Sequence, residues 1–407
     1  MDKVTNLAEA AERRREGVVE ALVANTALEA PPFPMPPKIN LDYLDKLLAY
    51  CVEKKVSDLI IVTDDNIVMK TGADLYRFGE RPFYLSEVEG LLAEIVRDPN
   101  APLEVSRAEP RDFAYVLERV VAKPIRIRGC ATACLGRNGS SGLELIFRPT
   151  GKPIPSLDAL GVEDYIKDNS EPDSGIVIFT GPTGSGKTTL LDSVLMRNLT
   201  RYPAKRIITY YAPIENDLNN IPGRIGQAVQ SEIGIPGQGA HLKDFSLAVR
   251  NMLRRNPDQV VFGEARDRPT IAGAVLASMS AHTTYATSHT SNVHMTIARM
   301  VDEFPADERI RMTNALIDNC RLIVHQRLLR HRDGVGVVAI RSALAFTQDI
   351  RNQLLRCDIE KVPLLIKEAT EREGISLLAS AMRQFELGNI DEATLASLER
   401  EMKAEVL

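Results

Sequence analysis

The fold of this chain is decided by one stretch, which reads Gly175-Ile176-Val177-Ile178-Phe179-Thr180-Gly181-Pro182-Thr183-Gly184-Ser185-Gly186-Lys187-Thr188. Its first six residues form an apolar run typical of a buried strand, and a helical pattern begins at Thr189. The segment between them has the pattern G-x-x-x-x-G-K-T of a phosphate-binding loop, which requires this order of strand, loop and helix. A chance match in a glycine-rich turn is the alternative, and the flanking strand and helix disfavour it.

The residue types of this loop suit an anion. Glycine lets the backbone approach phosphates because it carries no Cβ, and the loop N–H groups and the helix N-terminus face the ligand. We expect Lys187 to reach the β- and γ-phosphates and the Thr188 hydroxyl to bind Mg²⁺. The sequence therefore predicts binding of ATP with Mg²⁺. The loop residues expected to hold the nucleotide are Gly181, Pro182, Thr183, Gly184, Ser185, Gly186, Lys187, Thr188 and Thr189.

Composition restricts the class of protein. The chain has 407 residues, of which 44% are apolar and 26% charged, an ordinary globular mixture with room for two or three domains. Its net charge of −5 gives no general attraction to nucleic acid, so we expect no specific nucleic-acid binding. Five scattered cysteines favour reduced thiols in the cytoplasm, and Cys130-x3-Cys134 lacks the second pair that a zinc site needs.

The sequence predicts an α+β domain before the loop. Short β-rich runs recur in it, and we expect them to form a mixed sheet. Ser86, followed by Glu89 three residues later, predicts a capping box at the start of the helix over 85–96. The expected organisation is a mobile helix and proline-rich spacer over 1–38, an α+β domain over 39–148, a linker over 149–157, a nucleotide-binding domain over 158–360 and a helical tail over 361–407.

Strands and helices alternate in the second domain. Alternation of this kind predicts right-handed crossovers and a parallel sheet covered on both faces. Ligands of such sheets lie at the carboxyl ends of the strands. The predicted strands are 177–179, 206–210, 259–262 and 283–287.

An ATP hydrolase needs an acidic residue at a strand end beside the γ-phosphate, to order water or the metal. Glu264 follows the apolar strand 259–262 and is the first candidate for catalysis and for binding Mg²⁺. Glu215, in the turn after strand 206–210, is a second catalytic candidate, and His289 is placed to sense the γ-phosphate. A surface salt bridge for Glu264 and a structural role for His289 are the alternatives.

Several ordered motifs resemble those of a known family. After the loop come Ala212-Pro213-Ile214-Glu215, then Arg254-Arg255-Asn256-Pro257-Asp258 with Gly263-Glu264-Ala265-Arg266-Asp267, and then Ala286-Thr287-Ser288-His289-Thr290. Together they resemble the Walker A, Asp-box, Walker B and His-box motifs of the type II/IV secretion ATPase superfamily. Ser57-Asp58-Leu59, Arg126-Ile127-Arg128 and Gln326-Arg327-Leu328-Leu329 also resemble family segments. Within the superfamily the chain is most similar to the Dot/Icm-type ATPases of type IVB secretion and conjugative plasmids.

The resemblance implies a RecA-like second domain and a hexameric cytoplasmic ATPase. Such a protein would couple Mg-ATP hydrolysis to a membrane-embedded secretion or conjugation apparatus, docked at the bacterial inner membrane without inserting into it. It also implies that each nucleotide lies between the two domains, with arginines of the first domain completing the site. Guanidinium groups suit phosphate oxygens, although each of these arginines could be an ordinary salt-bridge residue. They are Arg126, Arg128, Arg137 and Arg148.

The chain departs from the family pattern at a few positions. Tyr211 and Ala212 stand where the Asp-box usually has two acidic residues, so catalysis rests more heavily on Glu215 and Glu264. A tetracysteine zinc module is absent from the sequence, which argues against the pilus-extension branch. A pilus-retraction motor, a docking protein that ATP locks with little hydrolysis, and a small-molecule kinase are the alternatives. The cargo, DNA or protein, is left open.

Overall fold

The computed structural model describes residues 28–71, 74–136, 139–149, 153–234, 240–334 and 336–404. The helix expected near the N-terminus falls mostly outside these residues. The chain divides into two compact units, Met1–Thr150 and Gly151–Leu407.

The first unit is built on a six-stranded sheet with the order β3-β2-β1-β6-β5-β4. Every strand pair in this sheet is antiparallel, so the prediction of a mixed sheet was wrong. Short loops connect many of these strands, and short connections favour antiparallel neighbours. The elements are α1 (Leu41–Glu53), β1 (Asp58–Val62), β2 (Ile67–Thr71), β3 (Asp74–Phe78), α2 (Leu85–Val96), α3 (Ala101–Ser106), β4 (Arg111–Leu117), β5 (Ile125–Leu135) and β6 (Ser141–Pro149).

Helices cover one face of this sheet. Their apolar side chains pack with strand residues such as Ile127, Leu145 and Phe147 into one buried cluster. The alternate residues of β5, including Arg126 and Arg128, lie on the opposite face and are only partly buried. Because side chains alternate along a strand, the arginine-rich strand presents its charges away from the core.

The start of α2 differs from the prediction. The N–H of Tyr84, which precedes the helix, donates to Glu87 Oε2 at 3.0 Å, so the acidic residue of the capping box is Glu87. Ser86 lies inside the first helical turn, and the predicted pairing with Glu89 was therefore wrong. Glu87 also accepts hydrogen bonds from Arg81 and from the N–H of Ile39. These partners hold the side chain of Glu87, which is the acidic residue of the capping box in place of Glu89.

The second unit is built on a seven-stranded sheet with the order β13-β12-β7-β11-β10-β8-β9. All neighbouring strands are parallel except β12 and β13. The elements are α4 (Asp164–Asn169), β7 (Gly175–Thr180), α5 (Lys187–Thr200), β8 (Arg206–Tyr211), β9 (Gln227–Glu232), α6 (Phe245–Met252), β10 (Gln259–Phe262), α7 (Arg268–Met279), β11 (Thr283–Ser288), α8 (Thr296–Asp302), α9 (Ala306–Asn319), β12 (Cys320–Arg330), β13 (Val337–Ala345), α10 (Gln348–Arg356), α11 (Val362–Glu373), α12 (Leu377–Glu386) and α13 (Glu392–Ala404).

Both faces of this sheet are buried. In β7, Ile176 and Ile178 pack into one apolar cluster, whereas Val177 and Phe179 pack into another on the opposite face. A strand buried on both faces explains why the run before the loop contains no polar alternation. The predicted fold class, an α+β unit followed by a parallel-sheet unit with C-terminal helices, is confirmed.

Strands β9, β12 and β13 were not predicted from the sequence. Strand β12 is hydrogen-bonded in parallel to β7, and it contains the segment Gln326-Arg327-Leu328-Leu329. The C-terminal helices pack on β13 through a small apolar cluster that includes Ile340, Ala381 and Leu398. None of the helices described combines the length and the hydropathy needed to span a lipid bilayer.

Candidate active site

The loop after β7 has the backbone geometry that its glycines allow. Gly181, Gly184 and Gly186 have φ angles of +141°, +78° and +81°, a region that side chains with a Cβ rarely occupy. A Cβ on Gly181 would lie 2.3 Å from the carbonyl oxygen of Gln326, so the loop also needs glycine for space. The tip at Pro182 and Thr183 is exposed, and α5 begins directly after the loop.

Lys187 lies at the base of the loop and is largely buried. Its ammonium group donates to the carbonyl oxygens of Gly181 at 2.8 Å and Pro182 at 2.9 Å. Burial lowers the pKa of Lys187, while the carboxylates of Glu264 and Glu215 raise it. The cation is thus held over the loop, where phosphate oxygens would meet it.

His289 connects Lys187 to Glu264. Its Nδ1 is 3.5 Å from Lys187 Nζ, and its Nε2 is 3.3 Å from Glu264 Oε1. An ammonium group can only donate, so Nδ1 is the acceptor and Nε2 carries the hydrogen that faces the carboxylate. Burial and the Lys187 charge lower the pKa of His289, which favours this neutral form at pH 7. Three residues predicted separately therefore lie side by side.

Glu215 lies at the same edge of the sheet. It is exposed, and its carboxylate acts electrostatically on both Lys187 and Asp192. Thr188 and Thr189 occupy the first turn of α5 and are partly buried.

A nucleotide with Mg²⁺ fits this site. The backbone of the loop leaves no space for a Cβ at Gly181 or Gly186, and the buried Ser185 hydroxyl has no hydrogen-bond partner among the described residues. The Thr188 hydroxyl and the Glu264 carboxylate are oxygen ligands of the type that Mg²⁺ prefers.

The sequence did not identify a buried carboxyl group that lies next to this site. Asp192, in α5, accepts hydrogen bonds from Tyr211 Oη at 2.9 Å and from Asn216 Nδ2 at 2.6 Å. Burial raises its pKa to about 7, although these two hydrogen bonds act in the opposite direction. Tyr211 stands at a position where the family has an acidic residue. Its hydroxyl donates to the carboxylate of Asp192, but it does not supply a carboxylate of its own. The only feature of the sequence that could have indicated Asp192 is its spacing from Lys187 in the same helix.

Three of the four candidate arginines share one face of the sheet in the first unit. Arg128 lies directly opposite Arg148 in the pairing of β5 with β6, and Arg126 is two residues away on the same face. Like charges opposite each other are unfavourable unless an anion compensates them. Arg148 obtains this compensation from Asp58, whose Oδ1 is 2.8 Å from Arg148 Nε. Arg137 lies outside the described residues.

Comparison with known proteins extends these findings. Residues 150–351 match the family described as type II/IV secretion system protein. The chain is 30% identical over 317 residues to the type IV pilus retraction ATPase PilT of Pseudomonas aeruginosa PAO1, covering 77% of this chain and 86% of that protein.

Solved structures give the same result. The ATPase DotB of Legionella pneumophila superimposes with a TM-score of 0.80 at 30% identity, over 92% of this chain and all of that one (100%). The ATPase DotB of Yersinia pseudotuberculosis gives a TM-score of 0.75 at 25% identity, over 92% and 99% of the two chains. The pilus retraction motor PilT with bound ADP has the same fold, with a TM-score of 0.71 at 23% identity, over 86% and 95%.

Proposed function

Because this chain belongs to the type II/IV secretion ATPase superfamily and is an ATP hydrolase, we propose that it is a hexameric cytoplasmic motor of a type IVB secretion or conjugal-transfer apparatus. The observation that carries this proposal is the similarity to DotB over almost the whole chain. Docking at the bacterial inner membrane, through proteins of that apparatus, is part of the proposal.

We propose a task for each residue of the site. The loop amides and Lys187 bind and orient the β- and γ-phosphates, which lowers the entropy cost of reaching the in-line geometry. Glu264 orders the attacking water and accepts its proton, and the neutral His289 holds the Glu264 carboxylate in place by donating from Nε2. Thr188 and Glu264 would hold Mg²⁺, which would supply positive charge for the phosphate oxygens. Glu215 adds a second carboxylate at the same edge.

We assign Arg126, Arg128 and Arg148 to phosphate binding in the assembled ring. Arg128 is the sharpest test because Arg148, directly opposite it, already has Asp58 as its ion-pair partner. Arg128→Ala should raise the KM for ATP about tenfold, as loss of one charge-assisted contact does. Arg77→Ala is the matched control, since Arg77 is an exposed arginine of the same unit that pairs with Asp65. A KM equal to that of the wild type would remove Arg128 from the site.

Pilus retraction is the second candidate function. It is favoured by the 30% identity to the retraction ATPase PilT, which extends over 86% of that protein. The same active site would serve either task, because the partner determines what the motion of the ring accomplishes.

Deletion of the gene in its host separates these two functions. The deleted strain would be complemented with the wild type and with Glu264→Gln, and both cargo transfer and pilus retraction would be measured. Loss of DNA or protein transfer, restored only by the wild type, is the result that the first proposal predicts. Normal transfer with pili that no longer retract would favour the second candidate.

A further inference from the structure

Gln326 is a buried residue of β12 that contacts the phosphate-binding loop. It follows His325, which lies beside Thr180 in the parallel pairing of β12 with β7, so Gln326 is next to the point where the loop begins. Its side-chain Nε2 donates to the carbonyl oxygen of Ser185 at 2.6 Å. The side chain of a residue that is distant in sequence therefore holds one peptide group of the loop.

That hydrogen bond determines where the next N–H points. The peptide group between Ser185 and Gly186 is planar and trans, so its C=O and N–H point in opposite directions. With the Ser185 oxygen held on Gln326, the Gly186 N–H is directed away from Gln326. A Cβ on Gly186 would lie 2.9 Å from Gln326 Nε2, so the approach also requires glycine there.

The orientation of the Gln326 amide is itself fixed. Arg341, directly opposite on β13, donates from Nε to Gln326 Oε1 at 2.8 Å. Arginine has no acceptor, so the amide oxygen must face Arg341 and the NH₂ group must face Ser185. A glutamine flipped by 180° would lose both hydrogen bonds.

Arg341 is held in turn by a buried network. It is 1% exposed, and it pairs with Glu163 Oε2 at 3.2 Å and donates to the carbonyl oxygen of Leu160 at 3.0 Å. Ser380, in the C-terminal helix α12, donates from its hydroxyl to Glu163 Oε1 at 2.9 Å. A buried ion pair is stable only when its remaining polar atoms are also partnered, and here they are.

We infer that Gln326 is a positioning residue for nucleotide binding, which turns the Gly186 amide toward the phosphates, and that the Arg341–Glu163 pair holds Gln326 in the required orientation. The inference rests on nucleotide binding at the loop, as proposed above. It also connects the C-terminal helices to the loop through Ser380, so changes in those helices reach the phosphate site. Simple packing of β12 against β7 would need neither amide hydrogen bond.

Two substitutions separate positioning from packing. Gln326→Leu keeps the volume and removes both hydrogen bonds. Gln326→Glu keeps an acceptor for Arg341 but cannot donate to the Ser185 carbonyl at pH 8, where the carboxyl is ionised beside a guanidinium. Gln259→Leu is the matched control, because Gln259 is a buried glutamine at the amino end of β10, bonded to Asn198 and at the opposite edge from the loop.

The measurement is the Kd of a fluorescent ADP for the full-length chain at pH 8, with the thermal unfolding midpoint of each variant. We expect Kd to rise about tenfold or more in both Gln326 variants and to stay within about twofold in Gln259→Leu. A Gln326→Glu protein that is folded and binds as tightly as the wild type would overturn the inference. Failure of the wild type itself to bind would instead contradict the proposed function.

Discussion

At the scale of single residues, the site depends on a chain of contacts from Lys187 through His289 to Glu264. His289 is the member whose role is least evident from its residue type, because a histidine after a strand is often structural. Its two ring nitrogens face a donor and an acceptor, which fixes one tautomer. A group held in this way can transmit the presence of phosphate at Lys187 to the carboxylate that orders water.

His289→Ala should lower kcat on the order of a hundredfold, because Glu264 loses the group that orients it. The Kd for nucleotide should change less than about threefold, since the loop amides and Lys187 keep their positions. Steady-state turnover and nucleotide binding measure the two effects separately. His331→Ala, at a partly buried histidine that pairs with Asp333, is the control. Unchanged kcat in His289→Ala would show that this histidine is structural.

Asp192 predicts a dependence of stability on pH. Its folded-state pKa of about 7 lies above the value of about 3.9 for an unfolded aspartate. Between these values the folded state retains a proton that the unfolded state has lost, so stability contributed by Asp192 is greatest below about pH 4 and falls as pH rises to about 7. Above about pH 7, Asp192 no longer contributes this stability.

Asp192→Asn should remove this slope. The free energy of unfolding in urea, measured at about pH 5 and about pH 7.5, should fall in the wild type by roughly 2–3 kcal/mol more than in Asp192→Asn, at about 1.4 kcal/mol per pH unit between pH 5 and the folded-state pKa of about 7. Tyr211 can still donate to the amide oxygen of the substituted side chain, so the variant is expected to fold. Parallel pH curves for the two proteins would contradict the assignment.

At the scale of elements, the strand, loop and helix around Lys187 could be predicted because their signal is local. Gly181 shows how strict that signal is, since it combines a φ angle of +141° with a Cβ position 2.3 Å from a carbonyl oxygen.

Gly181→Ala should therefore abolish nucleotide binding and lower the free energy of unfolding by roughly 1–3 kcal/mol. Gly90→Ala is the matched control, because Gly90 lies within α2 with no atom near its Cβ position. That substitution should raise stability by about 0.5–1 kcal/mol. Urea unfolding and nucleotide binding test both variants. Normal binding by Gly181→Ala would mean that the loop tolerates a different backbone.

There is a physical reason why strands β12 and β13 could not be predicted from the sequence. They contain buried polar residues, among them His325, Gln326 and Arg341, which interrupt the apolar pattern by which a buried strand is identified. Their burial makes sense only once partners from elsewhere in the sequence are known, such as Glu163 and the Ser185 carbonyl. The same limit applies to Asp192 in helix α5, whose partner Tyr211 lies on strand β8. The role of a buried polar residue cannot be predicted from a local sequence pattern when its partners are distant in the sequence.

At the scale of the whole molecule, the order of motifs predicted the family and the general chemistry. The chain consists of two compact units. The first contains an antiparallel sheet, and the second contains a sheet that is parallel except at β13, together with the C-terminal helices. Assembly into a ring and coupling to an apparatus are proposals, because they depend on copies and partners outside the single chain. Measuring hydrolysis and molar mass together tests assembly into a ring, and gene deletion in the host tests the coupling.

The most direct test is ATP turnover measured together with molar mass by light scattering, for the wild type, Lys187→Ala and Glu264→Gln. Glu308→Gln, which removes the ion pair between Glu308 in α9 and Arg268 and changes no residue assigned to the site, is the control. We predict turnover by a six-subunit species, lost by about a hundredfold or more in both site variants, with nucleotide binding retained in Glu264→Gln. Turnover by a monomer, or a Glu264→Gln protein as active as the wild type, would contradict the account.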